Sequence, residues 1–128
     1  MDINSIFVDN EKLIKSVAII GSRTFNDYNI VKDEFLKITN NIIVSKIISG
    51  GALGADKIGE KIALEFNIPI TIFKPDWSLG KHAGFLRNSD IVINSDIIIA
   101  FWNGISKGTH DSIKKAKKLK KELYIIKI

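Results

Sequence analysis

At 128 residues and 14.3 kDa, with 45% hydrophobic residues and a mean hydropathy of +0.12, the chain has apolar material for the core of one globular domain. With no cysteine, it excludes a disulfide framework, a thiolate-ligated metal centre and thiol catalysis, and two histidines, His82 and His110, leave little for a His-rich metal site, so none is expected. The net charge of +5 and pI near 9.4 raise the possibility of an anionic partner, while the longest apolar run, 97–102, falls short of the roughly 18 to 20 residues a membrane span requires.

The N-terminal stretch carries Asp2 early and has no basic segment leading into an apolar stretch, so no secretory signal is read and a cytoplasmic location without membrane association is expected. Residues 1–16 hold a short apolar stretch at 6–8 followed by Asp9, Asn10 and Glu11, compatible with an extra edge strand or an arm. Beyond them, β-branched apolar runs at 17–20, 42–48, 70–73, 97–101 and 124–128 predict five strands. Between the strands, Tyr28, Val31, Phe35 and Ile38, then Ala55, Ile58, Ile62 and Phe66, recur at helical spacing. A less periodic helix is expected over 83–93. The last helix presents Ile113, Ala116, Leu119 and Leu123 on one stripe, with lysines elsewhere. This alternation predicts an α/β domain, doubly wound around about five mainly parallel strands with helices on both faces. No linker or repeat divides it, so 1–128 reads as a single domain.

The loops divide into two sets. Helix-to-strand connections are short and plain, whereas strand-to-helix connections are rich in Gly, hydroxyls, Asp and aromatics. In a parallel sheet the second set lies at the carboxyl edge, where such folds bind ligands. The first of these loops offers Gly21, Ser22, Arg23 and Thr24. The second has Ser49, Gly50, Gly51, Gly54, Ala55 and Asp56. Trp77, Lys81, Gly84, Arg87 and Asn88 follow in the third, and Trp102, Gly104, Ser106, Lys107, Gly108 and Thr109 in the fourth. Gly-rich loops running into helices present unpaired backbone N–H groups and the positive helix end, which suits a phosphate or carboxylate. Neither the P-loop pattern nor G-x-G-x-x-G is present.

Charge is unevenly placed. Residues 105–128 carry eight Lys against two acids, whereas residues 1–104 carry eleven basic against twelve acidic residues. Only Arg23 and Arg87 of the nineteen basic residues are arginines, and both fall in the polar loop segments, as an anion clamp would require. Lys81 and Lys107 are weaker candidates for the same role. Asp56 and Asp111 suit the first turn of a helix, with ribose recognition or general-base work as the functional alternative. His82 and His110 read as polar loop residues. For Phe25, Trp77 and Trp102, covering the core and stacking on a base are evenly weighted. The lysines of the last helix read as a solvated face before a nucleic-acid footprint, because arginines and interleaved aromatics are missing there.

Four stretches, Ala18 through Phe25, Ile48 through Asp56, Gly80 through Asn88 and Phe101 through Thr109, together resemble the SLOG superfamily of Rossmann-like domains, and within it the YspA/YpsA-related branch. Relatives by that resemblance include a DNA-processing protein, the cytokinin-activating LOG phosphoribohydrolases, molybdenum-cofactor carrier-like proteins and ligand-sensing domains of antiviral systems. The resemblance implies a Rossmann-like domain that binds a phosphate-bearing nucleotide or a nucleotide-derived, NAD- or ADP-ribose-like molecule. It also implies a homo-oligomer. The LOG enzymes place an Arg at the position of Arg87 and follow their fourth strand with P-G-G-x-G-T-x-x-E. Here Ser112 stands where that Glu would be, and Asp111, one residue early, is turned by about 100° on a helix. Phosphate binding through Gly108 and Thr109 carries over; Arg87 and Asp111 remain the candidates for any catalysis.

The expectation is therefore a nucleotide-binding sensor, carrier or sequestering protein. A nucleotide N-glycosidase is the first alternative and a DNA-binding module the second.

Overall fold

Apolar runs long enough to be buried on both faces become the inner strands of the sheet, and the polar-flanked ones become its edges. The computed structural model describes residues 12–128, so the stretch at 6–8 and Asp9, Asn10 and Glu11 lie outside the described residues. In chain order the elements are β1 (Leu13–Gly21), α1 (Tyr28–Ile38), β2 (Ile42–Ser49), α2 (Ala55–Glu65), β3 (Ile70–Ile72), a short 3-10 turn (Trp77–Leu79), α3 (Ala83–Ile93), β4 (Ile97–Trp102), α4 (Lys107–Lys118) and β5 (Glu122–Lys127). Among the described residues the five strands form one sheet in the order β3-β2-β1-β4-β5, and every pairing is parallel. This is the doubly wound α/β arrangement expected from the alternation of runs.

Alternate residues of the inner strands feed two separate cores. Val17, Ile19, Ile47, Ile97, Ile99 and Phe101 meet Val31 and Phe35 of α1 and Ile58 and Ile62 of α2. Ala18, Ile20, Ile48, Ile98 and Ala100 meet Ile91 and Val92 of α3 and Ile113 and Ala116 of α4. The chain leaves β1 toward β2 on one side and returns to β4 on the other. The loops after β1 and β4 therefore diverge and leave a crevice at the carboxyl edge, at the point where strand order reverses. Among the described residues no helix is long and apolar enough to cross a membrane.

Three boundaries differ from expectation. β1 begins at Leu13, four residues early, with Leu13 and Ile14 each 67% exposed at its start. Leu123 belongs to β5 and not to the stripe of the last helix, which ends at Lys118 with the exposed Leu119 as its cap. Phe66, the last member of the second stripe, caps α2 and is also exposed.

Candidate functional site

Two clefts open at the carboxyl edge. The first, about 420 Å³, is walled by Gly21, Ser22, Arg23 and Thr24 after β1, by Ala52 and Asp56, by Lys81, Gly84, Arg87 and Asn88 around the start of α3, and by Asn103, Ser106, Gly108, Thr109 and Ser112 after β4. The second, about 410 Å³, is walled by Gly50, Gly51, Ala52 and Leu53, by Lys74, Pro75 and Trp77, and again by Arg23 and Arg87. All four strand-to-helix loops thus meet, and the two arginines stand between the clefts.

The loop after β2 is shaped by close approach. A Cβ on the buried Gly50 would fall 2.7 Å from Arg87 Nη1 and 2.8 Å from Asp56 Oδ2, so the bare Cα is what lets both side chains close over it. Ser49 Oγ accepts the N–H of Gly51 (3.0 Å) and contacts Glu60 Oε2 (3.1 Å). The Asp56 carboxylate accepts the N–H of Ala52 (3.3 Å). Gly54, with φ +79°, caps α2 against the carbonyl of Ser22, a position closed to any side chain by both backbone angle and space.

Burial pushes the Asp56 carboxyl up to about 6, against the hydrogen bond from Ala52 and the nearby Arg87 charge, which pull it down. Burial also lowers the Arg87 guanidinium below its usual range; Asp56 opposes this, and the charge of Arg23 adds to it. Arg87 nevertheless stays charged at neutral pH, as guanidinium groups in proteins do. Arg87 donates through Nε to Asn88 Oδ1 (3.1 Å) and through Nη1 to the Gly50 carbonyl. Two of its five N–H groups are thereby used, on a side chain that lines both clefts. Arg23 is exposed and forms no ion pair among the described residues.

Ser22 is 2% exposed, yet among the described residues its hydroxyl has no hydrogen-bond partner, and it lines the first cleft. A buried hydroxyl left unpaired costs about 1–3 kcal/mol, which a ligand acceptor would recover. Facing it across the cleft is the start of α4, whose N-cap Ser106 makes no side-chain capping bond. Asn103 Oδ1 accepts the N–H groups of Ile105 and Ser106 (2.9 Å each) and sets the turn into that helix. Asn88 reaches across from the middle of α3 to the Gly108 carbonyl and to Asp111 (3.2 Å each), tying α3 to the start of α4.

Not every candidate arrives at a cleft. Gly54, Ala55, Trp102, Gly104 and Lys107 lie off both walls. Ala55 is fully buried beneath Gly21, so both are close-packing positions. Trp102 donates its indole N–H to Ser106 (3.1 Å) and stacks on His110 at 5.2 Å, supporting the turn before α4. Phe25 stacks on Phe101 at 5.7 Å and covers the core. Asp111 is held by Lys115 (2.8 Å) as well as by Asn88, with its carboxylate oxygen engaged by both. Of the walls that the loop composition did not single out, Ala52, Asn103, Lys74 and Pro75 belong to the same loops. Ser112 follows Thr109 by three residues, the spacing that puts both on one helix face. Among the described residues no group of three or more His, Asp or Glu side chains is placed to hold a metal ion.

No curated protein matches the chain. A family model described as YAcAr, the YspA, cpYpsA-related SLOG family, matches residues 15–80. That span runs from β1 through the 3-10 turn, carries Arg23, Gly50 and Asp56, and amounts to just over half of the sequence; the chain therefore belongs to the YspA, cpYpsA-related SLOG family.

Proposed function

We propose that the protein binds a phosphate-bearing nucleotide, or a nucleotide-derived molecule of the NAD or ADP-ribose kind, at the carboxyl edge of its sheet, and acts as a sensor, carrier or sequestering protein. The observation that carries this reading is the buried, unpartnered hydroxyl of Ser22, set in the same cleft as two arginines and the uncapped start of α4. Each of these can donate, and the arginines and the backbone N–H groups of the helix start only donate, which favours an anion with several oxygens. Family membership supports a nucleotide as the source of that anion. Asp56, on the same wall, is the group suited to a ribose hydroxyl.

In this reading Arg23 and Arg87 grip the phosphate, Ser22 and Thr109 donate hydroxyls, and the backbone N–H groups of Gly108 and Thr109 complete the cradle. Hydrolysis in the manner of the LOG enzymes has less support, because Ser112 stands at the position of their Glu and the Asp111 carboxylate is engaged by Lys115 and Asn88. Calorimetric titration of the full chain with ADP tests the proposal. Wild type is expected to bind, Arg87→Ala to lose at least tenfold in affinity while keeping its thermal transition, and Ser22→Ala to lose about three- to tenfold, as expected for one or two charge-assisted contacts. Equal affinities in all three proteins would remove the cleft as the binding site.

A further inference from the structure

The two clefts are nearly equal in volume, about 420 and 410 Å³, and share Arg23, Ala52 and Arg87 as a common wall. Each is of the size that takes a nucleoside and exceeds what a bare phosphate needs. The first holds hydroxyls and amides together with the Asp56 carboxylate and Phe85, 41% exposed. The second presents Trp77, 60% exposed, and Leu53, 68% exposed, two large apolar side chains on the walls of one cleft with Lys74 beside them.

Trp77 is exposed and stands on a capped turn. Asp76 caps that 3-10 turn by accepting the N–H of Ser78 (3.1 Å), and the far edge of the indole, Cη2, lies 3.9 Å from where a Cβ on Gly84 would stand. An exposed indole in a cleft wall, outside both hydrophobic cores, is a stacking surface for a flat ring. The cationic centre lies between the clefts, so an anion gripped there would extend an arm into each.

From this we infer that the ligand is two-armed. A central pyrophosphate lies against Arg23 and Arg87, a nucleoside fills the first cleft, and a second, flat ring stacks on Trp77 in the other. The chemical class is a dinucleotide, bound without a G-x-G-x-x-G loop. The inference rests on the phosphate-binding reading above and adds the second arm to it.

NADH and ADP-ribose test it, since both carry the adenosine and the pyrophosphate and only NADH carries the second, uncharged ring. In calorimetry on the full chain NADH is expected to bind about tenfold tighter than ADP-ribose, the fold-change of one stacking contact. Trp77→Ala, at an exposed position, is expected to bring NADH down to the ADP-ribose affinity and to leave ADP-ribose unchanged. Equal binding of the two ligands by wild type, or a loss in Trp77→Ala shared by both, overturns the second arm while leaving the phosphate site standing. Failure of both compounds and of ADP to bind overturns the phosphate-binding reading and this inference together.

Discussion

Asp56 is the residue whose chemistry departs furthest from its sequence. An Asp in the first turn of a helix ordinarily gains from the dipole. Here burial beneath Gly50 and Arg87 outweighs that gain and pushes the carboxyl from 3.8 to about 6. Because the folded pKa lies above the unfolded one, the native state holds more protons than the unfolded state between those values. Stability attributable to Asp56 therefore falls as pH rises from about 4 to about 6, then levels off. A shift of about two units corresponds to roughly 3 kcal/mol. Glu122 runs the other way, since the Tyr124 hydroxyl lowers its pKa, with Lys15 adding to the effect, so its contribution is lost on acidification. Subtracting the urea-unfolding profile of Asp56→Asn from that of wild type between pH 4 and 7.5 isolates the Asp56 part. The variant is expected to gain on wild type steadily up to about pH 6 and to keep that advantage above it; parallel profiles would show an ordinary carboxyl. The positions of Arg23, Arg87 and the glycines were legible in the sequence, because rare residue types in loops stand out by composition alone. The orphaned Ser22 hydroxyl and the raised Asp56 were not, because both depend on what other loops bring against them.

The same distinction governs the elements. Helices α2 and α4 stop in one geometry. In α2 the N–H of Asn67 reaches the Leu64 carbonyl (3.4 Å) and that of Ile68 reaches Ala63 (2.8 Å); in α4 the N–H of Lys120 reaches Lys117 (3.1 Å) and that of Lys121 reaches Ala116 (3.0 Å). Both turns place their central residue in the left-handed region, Asn67 at φ 54° and Lys120 at φ 55°. Asn is a recognisable helix stop, and with Pro69 behind it the end of α2 is readable. Lys is not, so the apolar stripe runs on in the sequence to Leu123, which the turn instead delivers into β5 as a neighbour of Ile98. A lysine in that backbone conformation costs about 1 kcal/mol relative to glycine. Lys120→Gly is accordingly expected to raise stability by about that amount, read as a higher urea midpoint at unchanged slope. A drop in midpoint would mean that the lysine side chain contributes more than its backbone costs. The opposite error at β1 has a similar origin. Leu13 and Ile14 pair with Ile42 and Ile43, but the lysines at positions 12 and 15 break the apolar run from which a strand is recognised.

At the scale of the whole molecule the question is which positive charge an anion meets. The net +5 is concentrated in 105–128, where Lys114, Lys117, Lys118 and Lys120 are exposed, yet none of these four lines either cleft. At 1.5 Å per helical residue, Lys114 lies about 10 Å and Lys117 about 15 Å along α4 from its first residue, and the Debye length at physiological ionic strength is about 8 Å. The lysine face is thus screened from the cleft at the start of the same helix. The arginines are not, because both line the clefts, within contact distance of an anion bound there. Replacing Lys114, Lys117, Lys118 and Lys120 together by Gln removes four positive charges and is expected to change ADP affinity less than twofold at 150 mM salt. The single loss of Arg87 costs tenfold or more. Lowering the salt to 20 mM lengthens the screening distance and should bring out a modest advantage of wild type over the quadruple variant, whereas Arg87→Ala remains impaired at both salts. If instead the quadruple variant loses ADP binding at 150 mM and the loss deepens for oligonucleotides with a steep salt dependence, the anion is held on the helix face as a polyanion would be, and the cleft is not the site.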